Sequence, residues 1–262
     1  MKLLDGKNAL IFGVANERSI AWGITQAFHE QGARIGLSYA GEVLEKRVRS
    51  LAKTIDCNFV EACDVARDDE IHNLVNKTVG EFGKLDILVH AIGFANREEL
   101  VGPYYRTSRS GFHTAMDISV YSFTALAQAF QPHLVRGGAL LTLTYYGSEK
   151  VAPGYNVMGV AKAALESSVR YLAYDLGPQG VRVNAISAGP IRTLAAAGVS
   201  RFKDMYRHFT KLAPLQQHVT IEDVGKVAVF LCSNMASKIT GEVLYVDSGY
   251  NIIGVPEPPE CE

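Results

Sequence analysis

The chain predicts an α/β fold, a doubly wound parallel sheet with helices on both faces, from two observations. Apolar, β-rich runs alternate with helical patterns along nearly its whole length, which is the signature of strand–helix–strand units and of a parallel sheet buried on both sides. At 262 residues, 48% of them hydrophobic and 20% charged, the chain is also long enough to bury such a sheet in one domain.

The elements follow in order. The first strand is Ala9-Leu10-Ile11-Phe12, followed by a Gly- and Asn-containing turn from Gly13 to Ser19 that opens a helix. Gly32 stands where that helix needs a left-handed residue to stop it, and the second strand is Arg34 to Tyr39. The third strand, Phe59 to Cys63, gives way at Asp64-Val65 to a helix whose first turn is acidic, Asp68-Asp69-Glu70, and which Gly83 closes. A fourth strand runs from Ile87 to Ala91 and a fifth from Ala139 to Thr144. After Pro153-Gly154, the residues Ala161, Ala163, Ala164, Leu165 and Glu166 predict a helix. Arg182 to Ile186 and Val243 to Val246 are the last two strands, and between them Thr220-Ile221-Glu222-Asp223 resembles a capping box with Asp in place of Glu. The whole is a single Rossmann-like sheet of about seven strands. No linker or repeat divides residues 1–255, and the tail 256–262, rich in Pro and Glu, continues neither helix nor strand.

Composition removes several classes of function. A net charge of −1 provides no basic field for a nucleic acid or an anionic lipid surface. The start, Met1-Lys2-Leu3-Leu4-Asp5-Gly6-Lys7, is too charged for a signal peptide, and no apolar run approaches the ~20 residues of a membrane span, so a cytoplasmic protein is expected. The four cysteines, Cys57, Cys63, Cys232 and Cys261, form no C-x-x-C pair and read as free thiols. The histidines lack ligand spacing, and His90 within an apolar strand reads as a satisfied core residue, so no metal is expected.

A doubly wound sheet places its ligand crevice where strand order reverses, between the first and fourth strands. Gly13 suits the tight turn there, Ala15 leaves room for a pyrophosphate, and Ser19 at the helix mouth adds a hydroxyl to amides that favour anionic oxygens. Asp64 offers a carboxylate where an adenine edge would lie, or else serves only as a helix N-cap. His90-Ala91-Ile92-Gly93-Phe94-Ala95 gives the fourth strand an open apolar rim. Three strand ends aimed at one crevice point to a dinucleotide. Beside them, directly after the fifth strand, stand Tyr145 and then Tyr155 and Lys162. If Tyr155 lies on the helix, the seven-residue step to Lys162 spans about two turns and roughly 10 Å, putting phenol and ammonium on one face. A cation so placed lowers the cost of phenolate character, making the phenol a proton donor or oxyanion partner.

On these residues the chain resembles the bacterial enoyl-acyl carrier protein reductases, a divergent branch of the short-chain dehydrogenase/reductases. The likeness runs from Gly6-Lys7 through Ser19-Ile20, Cys63-Asp64-Val65, His90 to Ala95, Tyr155-Asn156-Val157-Met158-Gly159 and Val181 to Thr193, to Val246-Asp247-Ser248-Gly249. Carbonyl-reducing members of the wider superfamily carry lysine four residues after the tyrosine, a place held here by Gly159, which disfavours a ketone or alcohol dehydrogenase. Retention of Tyr155 and Lys162 argues against a non-catalytic dinucleotide sensor.

The resemblance implies hydride transfer from a reduced nicotinamide to a trans-2-enoyl thioester. It implies that Tyr155 donates to the thioester oxygen, Lys162 holds the nicotinamide ribose and Tyr145 lines the acyl pocket. It further implies dinucleotide contacts from Gly13, Ser19, Ile20, Asp64, Val65, Ile92, Ile191, Arg192, Thr193, Leu194 and Ala195, substrate contact from Ala95, and a homotetramer. The stretch at about 191–212 would be a substrate lid, though its pattern alone equally suits an ordinary amphipathic helix. Arg201, Lys203 and Arg207 at its mouth are candidates to dock an acidic acyl carrier protein, against the alternative of a solvated helix face. Tyr39-Ala40-Gly41-Glu42 at the end of the second strand lacks both the acidic residue that many NAD enzymes use for the ribose hydroxyls and a basic residue for a 2′-phosphate; Lys46 and Arg47 lie several residues into the next helix, so NADH is expected over NADPH. Pro214-Leu215-Gln216-Gln217 replaces a basic pair found in other members.

Overall fold

The computed structural model describes residues 2–198 and 202–255. Its strands are β1 (Asn8–Phe12), β2 (Arg34–Tyr39), β3 (Phe59–Ala62), β4 (Leu85–His90), β5 (Leu134–Thr144), β6 (Arg182–Ala188) and β7 (Val243–Val246). The longer helices are α1 (Ile20–Glu30), α2 (Glu42–Lys53), α3 (Asp68–Phe82), α4 (Arg109–Met116), α5 (Ser122–Phe130), α6 (Val157–Leu176), α7 (Phe202–Leu212) and α8 (Ile221–Cys232). The strands pair in parallel in the order β3-β2-β1-β4-β5-β6-β7. Order therefore reverses between β1 and β4, as a doubly wound sheet requires.

Strand periodicity divides the core into two layers. Ala9 and Ile11 of β1 face a cluster with Phe28 of α1, Val48 of α2 and Val224 and Ala228 of α8. Leu10 and Phe12 face the other side, against Leu74 of α3, Phe123 and Leu126 of α5, and Leu165 and Val169 of α6. Fully burying each such Leu or Phe contributes roughly 1.5–3 kcal/mol, so both faces of the sheet hold it in place.

The local stop and start signals hold. Gly32 and Gly83 both take positive φ after their helices, and Thr220 and Asp223 complete a reciprocal capping box on α8. Strand boundaries move more. β5 begins at Leu134 instead of Ala139, because its pairing with β4 shifts register between Leu85 and Ile87 and so carries the strand across Gly137-Gly138. Between α4 and α5 the chain makes a π-helical turn, Asp117–Tyr121, which nothing in the local pattern announces. Cys57, Cys63 and Cys232 are free thiols, and Cys261 and the 256–262 tail lie outside the described residues. Among the described residues no helix is long and apolar enough to cross a membrane.

Candidate active site

The carboxyl ends of β1 and β4 meet at the crevice. Gly13 sits at φ 99°, and a Cβ there would lie 2.1 Å from the carbonyl oxygen of Ala91, so only glycine lets the turn approach β4 this closely. The turn is shaped from within: the amides of Ala15 and Asn16 each donate to Ser19 Oγ at 3.0 Å. Ser19 is thereby committed to the loop, and its place as N-cap of α1 points the helix's unpaired amides into the crevice. At the end of β3, Asp64 Oδ1 accepts from the amide of Ala66 at 3.0 Å, and the N-cap of α3 is Arg67. The N-cap reading of Asp64 is thus excluded.

A cavity of about 420 Å³ opens at these strand ends. Ile20, Ala91, Ile92 and Gly93 line one wall, Ala95, Leu100, Tyr145, Tyr155, Met158 and Lys162 another, and Ile191, Thr193, Leu194, Ala195, Phe202 and Met205 cover it. Gly13, Ser19, Asp64, Val65 and Arg192 lie outside this lining; Gly13 and Ser19 stand in the turn after β1, and Asp64 and Val65 just after β3. Arg192 turns away, its guanidinium 4.3 Å above the ring of Tyr206, on which His218 also stacks at 3.7 Å. Of the expected lid, residues 199–201, and so Arg201, lie outside the described residues. Of the parts described, 191–198 and α7, the helix places Met205 within 3.1 Å of the Tyr145 hydroxyl, which donates to its sulfur.

Tyr155 is not on the helix. α6 begins at Val157, and Asn156, at φ 44° and ψ −123°, breaks the helical path between them. The expectation of two groups on one helical face is therefore wrong: a turn closed by the Tyr155 amide on the Ala152 carbonyl at 3.0 Å carries the phenol, and the helix carries the lysine. The Tyr155 ring meets Tyr145 edge to face, centroids 5.0 Å apart. It also fills the space over Gly147, where a Cβ would come within 2.6 Å of the ring. At position 159 a Cβ would lie 2.7 Å from the carbonyl oxygen of Gly147. A side chain four residues after the tyrosine would therefore force the Gly147 backbone to shift, and the lysine comes from one turn further along α6.

Lys162 is 6% exposed, and its Nζ donates to the carbonyl of Leu143 at 2.8 Å. Burial pushes its ammonium down to about 8, partly countered by the carboxylate of Glu166. Glu166 lies one turn along α6 and accepts from the hydroxyl of Thr144. Burial also raises the phenols: Tyr145 to about 12, and Tyr155 higher still, with Tyr145 and Glu166 adding to the effect. Desolvation thus dominates the Tyr155 phenol and favours its protonated form, which suits it to donate a proton. Behind them His90 is fully buried, with Nδ1 against Thr142 Oγ1 and Nε2 against Ser122 Oγ, each at 2.8 Å. The parts played by Gly147, Asn156 and Leu100 went unread in the sequence, Met205 lay within the expected lid, and Gly159 was read only as the place without a lysine.

The crevice suits a dinucleotide. Its loop admits the close approach of an anion, its wall is apolar at Ile20 and Ile92, and a buried ammonium stands 3.5 Å from where a side chain at Gly93 would begin. Comparison with known proteins agrees. The family model for enoyl-(acyl carrier protein) reductase matches residues 13–251. A protein of Aquifex aeolicus named enoyl-[acyl-carrier-protein] reductase [NADH] is 56% identical over 256 residues, covering 97% of this chain and 95% of that protein. A crystal structure of the Bacillus cereus enoyl-acyl carrier protein reductase with NADP+ and an indole naphthyridinone superposes with a TM-score of 0.95 at 50% identity, covering 97% of this chain and all of that one. That of the Anaplasma phagocytophilum reductase in complex with NAD does so with a TM-score of 0.93 at 45% identity, covering 97% and 95%. The chain belongs to the enoyl-(acyl carrier protein) reductase family.

Proposed function

We propose that the protein reduces the carbon–carbon double bond of trans-2-enoyl thioesters borne on acyl carrier protein, with NADH, in fatty acid synthesis. The observation that carries this reading is the pairing of a protonated phenol at Tyr155 with a buried ammonium at Lys162, seven residues apart, on the lining of one apolar cavity. When bound, NADH supplies the hydride for the β-carbon. The chain's own residues do the rest. The phenol of Tyr155 donates to the thioester oxygen as that oxygen gains enolate charge, an interaction stronger in the transition state than before it. Lys162 holds the nicotinamide ribose hydroxyls, a task for which its Leu143 anchor fixes the ammonium. Tyr145 and the apolar α7 wall line the acyl chain and exclude water.

The preference for NADH is supported at the first turn of α2, which begins at the end of β2. Glu42 and Glu45 occupy it, Glu45 pairs with Arg49 at 2.8 Å, and the other cations of α2, Lys46, Arg47 and Lys53, come after that turn. A 2′-phosphate would meet carboxylates there. Gly13, Ser19, Ile20, Asp64, Val65 and Ile92 would border the dinucleotide together with the 191–195 segment, and Ala95 the substrate. On α7, Lys203 and Arg207 are exposed one turn apart, which supports docking of an acidic carrier. We place the enzyme in the cytoplasm as a homotetramer; Tyr171 and Tyr174, 72% and 83% exposed on α6, supply an apolar face for such an assembly to cover. Mixing protein, NADH and a medium-chain 2-enoyl thioester tests the reaction: absorbance of the reduced nicotinamide falls. Absence of turnover with both NADH and NADPH overturns the reading.

A further inference from the structure

Four described residues other than glycine take positive φ: Asp56, Asn156, Gln216 and Ser248. Asp56 and Gln216 are exposed turn residues. Asn156 is different, because it follows Tyr155 directly and its φ 44°, ψ −123° lies in territory that glycine enters freely and a side chain enters only under strain. A strained residue persists when its surroundings over-determine it.

The surroundings here are two backbone carbonyls. Asn156 Nδ2 donates to the carbonyl of Gly102 at 3.0 Å and to that of Glu99 at 3.3 Å. Since both partners are acceptors, the nitrogen and not the oxygen of the amide faces them, and its two N–H groups match the two carbonyls. The segment so held, Arg97 to Gly102, supplies Arg97 and Leu100 to the cavity wall. Its far side is fastened as well: the Glu99 carboxylate accepts from the Ser108 amide at 3.0 Å and from the Ser108 hydroxyl, at the start of α4. Asn156 itself does not line the cavity.

One residue thus does two things at once. Its backbone ends the helical path so that Tyr155 stands off α6, with the Tyr155 carbonyl accepting from the Met158 amide at 3.0 Å. Its side chain ties the cavity rim to that same turn. We propose that Asn156 is a positioning residue that sets the phenol of Tyr155 and the acyl-pocket rim as a single unit, the backbone aiming the proton donor and the amide fixing the rim. This rests on the reading of Tyr155 as proton donor to an enoyl thioester.

The two duties separate by mutation. In Asn156→Gly the backbone keeps its conformation without strain while the amide is lost. KM for a medium-chain enoyl thioester is expected to rise about 10-fold, with kcat within about 3-fold of wild type, since misplacing a binding wall weakens binding before it disturbs an aligned donor. In Asn156→Ala both duties fail, and kcat also falls about 10-fold or more. NADH affinity, read by fluorescence titration, stays unchanged in both and shows that each variant is folded. Should the alanine variant not fold, the split between KM and kcat in the glycine variant decides alone. Unchanged KM in Asn156→Gly, or equal loss of kcat in both variants, overturns the proposal. Failure of the wild-type enzyme to reduce any enoyl thioester would instead sink the assignment of the reaction.

Discussion

Two helical glycines, Gly80 and Gly159, give the same substitution opposite expected signs. Neither takes positive φ, so the gain in helix propensity from Gly→Ala is up to about 1 kcal/mol at each. At Gly80, exposed near the end of α3, a new Cβ meets nothing within 4 Å, and the gain is expected intact. At Gly159 the Cβ comes 2.7 Å from the carbonyl oxygen of Gly147, and because that atom belongs to backbone the 146–148 turn must shift. Overpacking of this kind costs about 1–3 kcal/mol and outweighs the propensity gain. The shift also reaches the chemistry, since Gly147 is the floor on which the Tyr155 ring rests. Thermal unfolding should place Gly80→Ala about 2–4 °C above wild type and Gly159→Ala at or below it. Nicotinamide oxidation at saturating enoyl thioester should show Gly80→Ala unchanged and Gly159→Ala reduced about 10-fold or more in kcat. A Gly159→Ala protein as stabilised as the Gly80 variant and fully active would refute the idea that backbone packing excludes a side chain there.

Other outcomes follow from the same geometry. Tyr155→Phe should lower kcat by about 10²-fold while leaving NADH binding intact, as stopped-flow and equilibrium titration would show. His90, held down to about 3 by burial and by the nearby charge of Lys162, is neutral in the folded chain where an unfolded histidine protonates at 6.5. Between those values the unfolded state binds the extra proton, so stability falls as pH drops from 6.5 towards 3, by up to roughly 5 kcal/mol. Denaturant titrations across that window should show a shallower fall for His90→Gln; identical slopes would show that His90 is not the group responsible. Reversing Lys203 and Arg207 to glutamate should raise KM for carrier-bound substrate and spare a small thioester, whereas equal effects on both would reject docking on α7.

Much of this was legible because parallel sheets write themselves plainly. Runs such as Arg34 to Tyr39, and even the half-buried edge run Val243 to Val246, became strands with those very limits, since a short apolar, β-rich run has few other fates. The crevice at β1 and β4 followed from topology, and the strand ends at Gly13 and Ile92 with it. What stayed hidden was decided at distance. The early start of β5 depends on a register shift against β4. The displacement of Tyr155 from α6 depends on carbonyls at Glu99 and Gly102, more than fifty residues upstream of the Asn156 they hold. The rise of the Tyr155 phenol reflects desolvation, which no count of neighbouring charges in a sequence can supply. The step from Tyr155 to Lys162 was read correctly as distinctive, but on a helical geometry that the chain does not adopt.

The contact between position 159 and the carbonyl of Gly147 also bears on how such an enzyme arises. A lysine four residues after the tyrosine and a turn folded tightly beneath that tyrosine compete for one volume, so an ancestor carrying the former could not acquire the latter while keeping its lysine. A lysine gained first at 162 would set two cations in a site built for one, and a lysine lost first at 159 would leave none. The three-residue loop 146–148 thus couples two choices, the size of residue 159 and the seat of the Tyr155 ring, so that neither changes without the other.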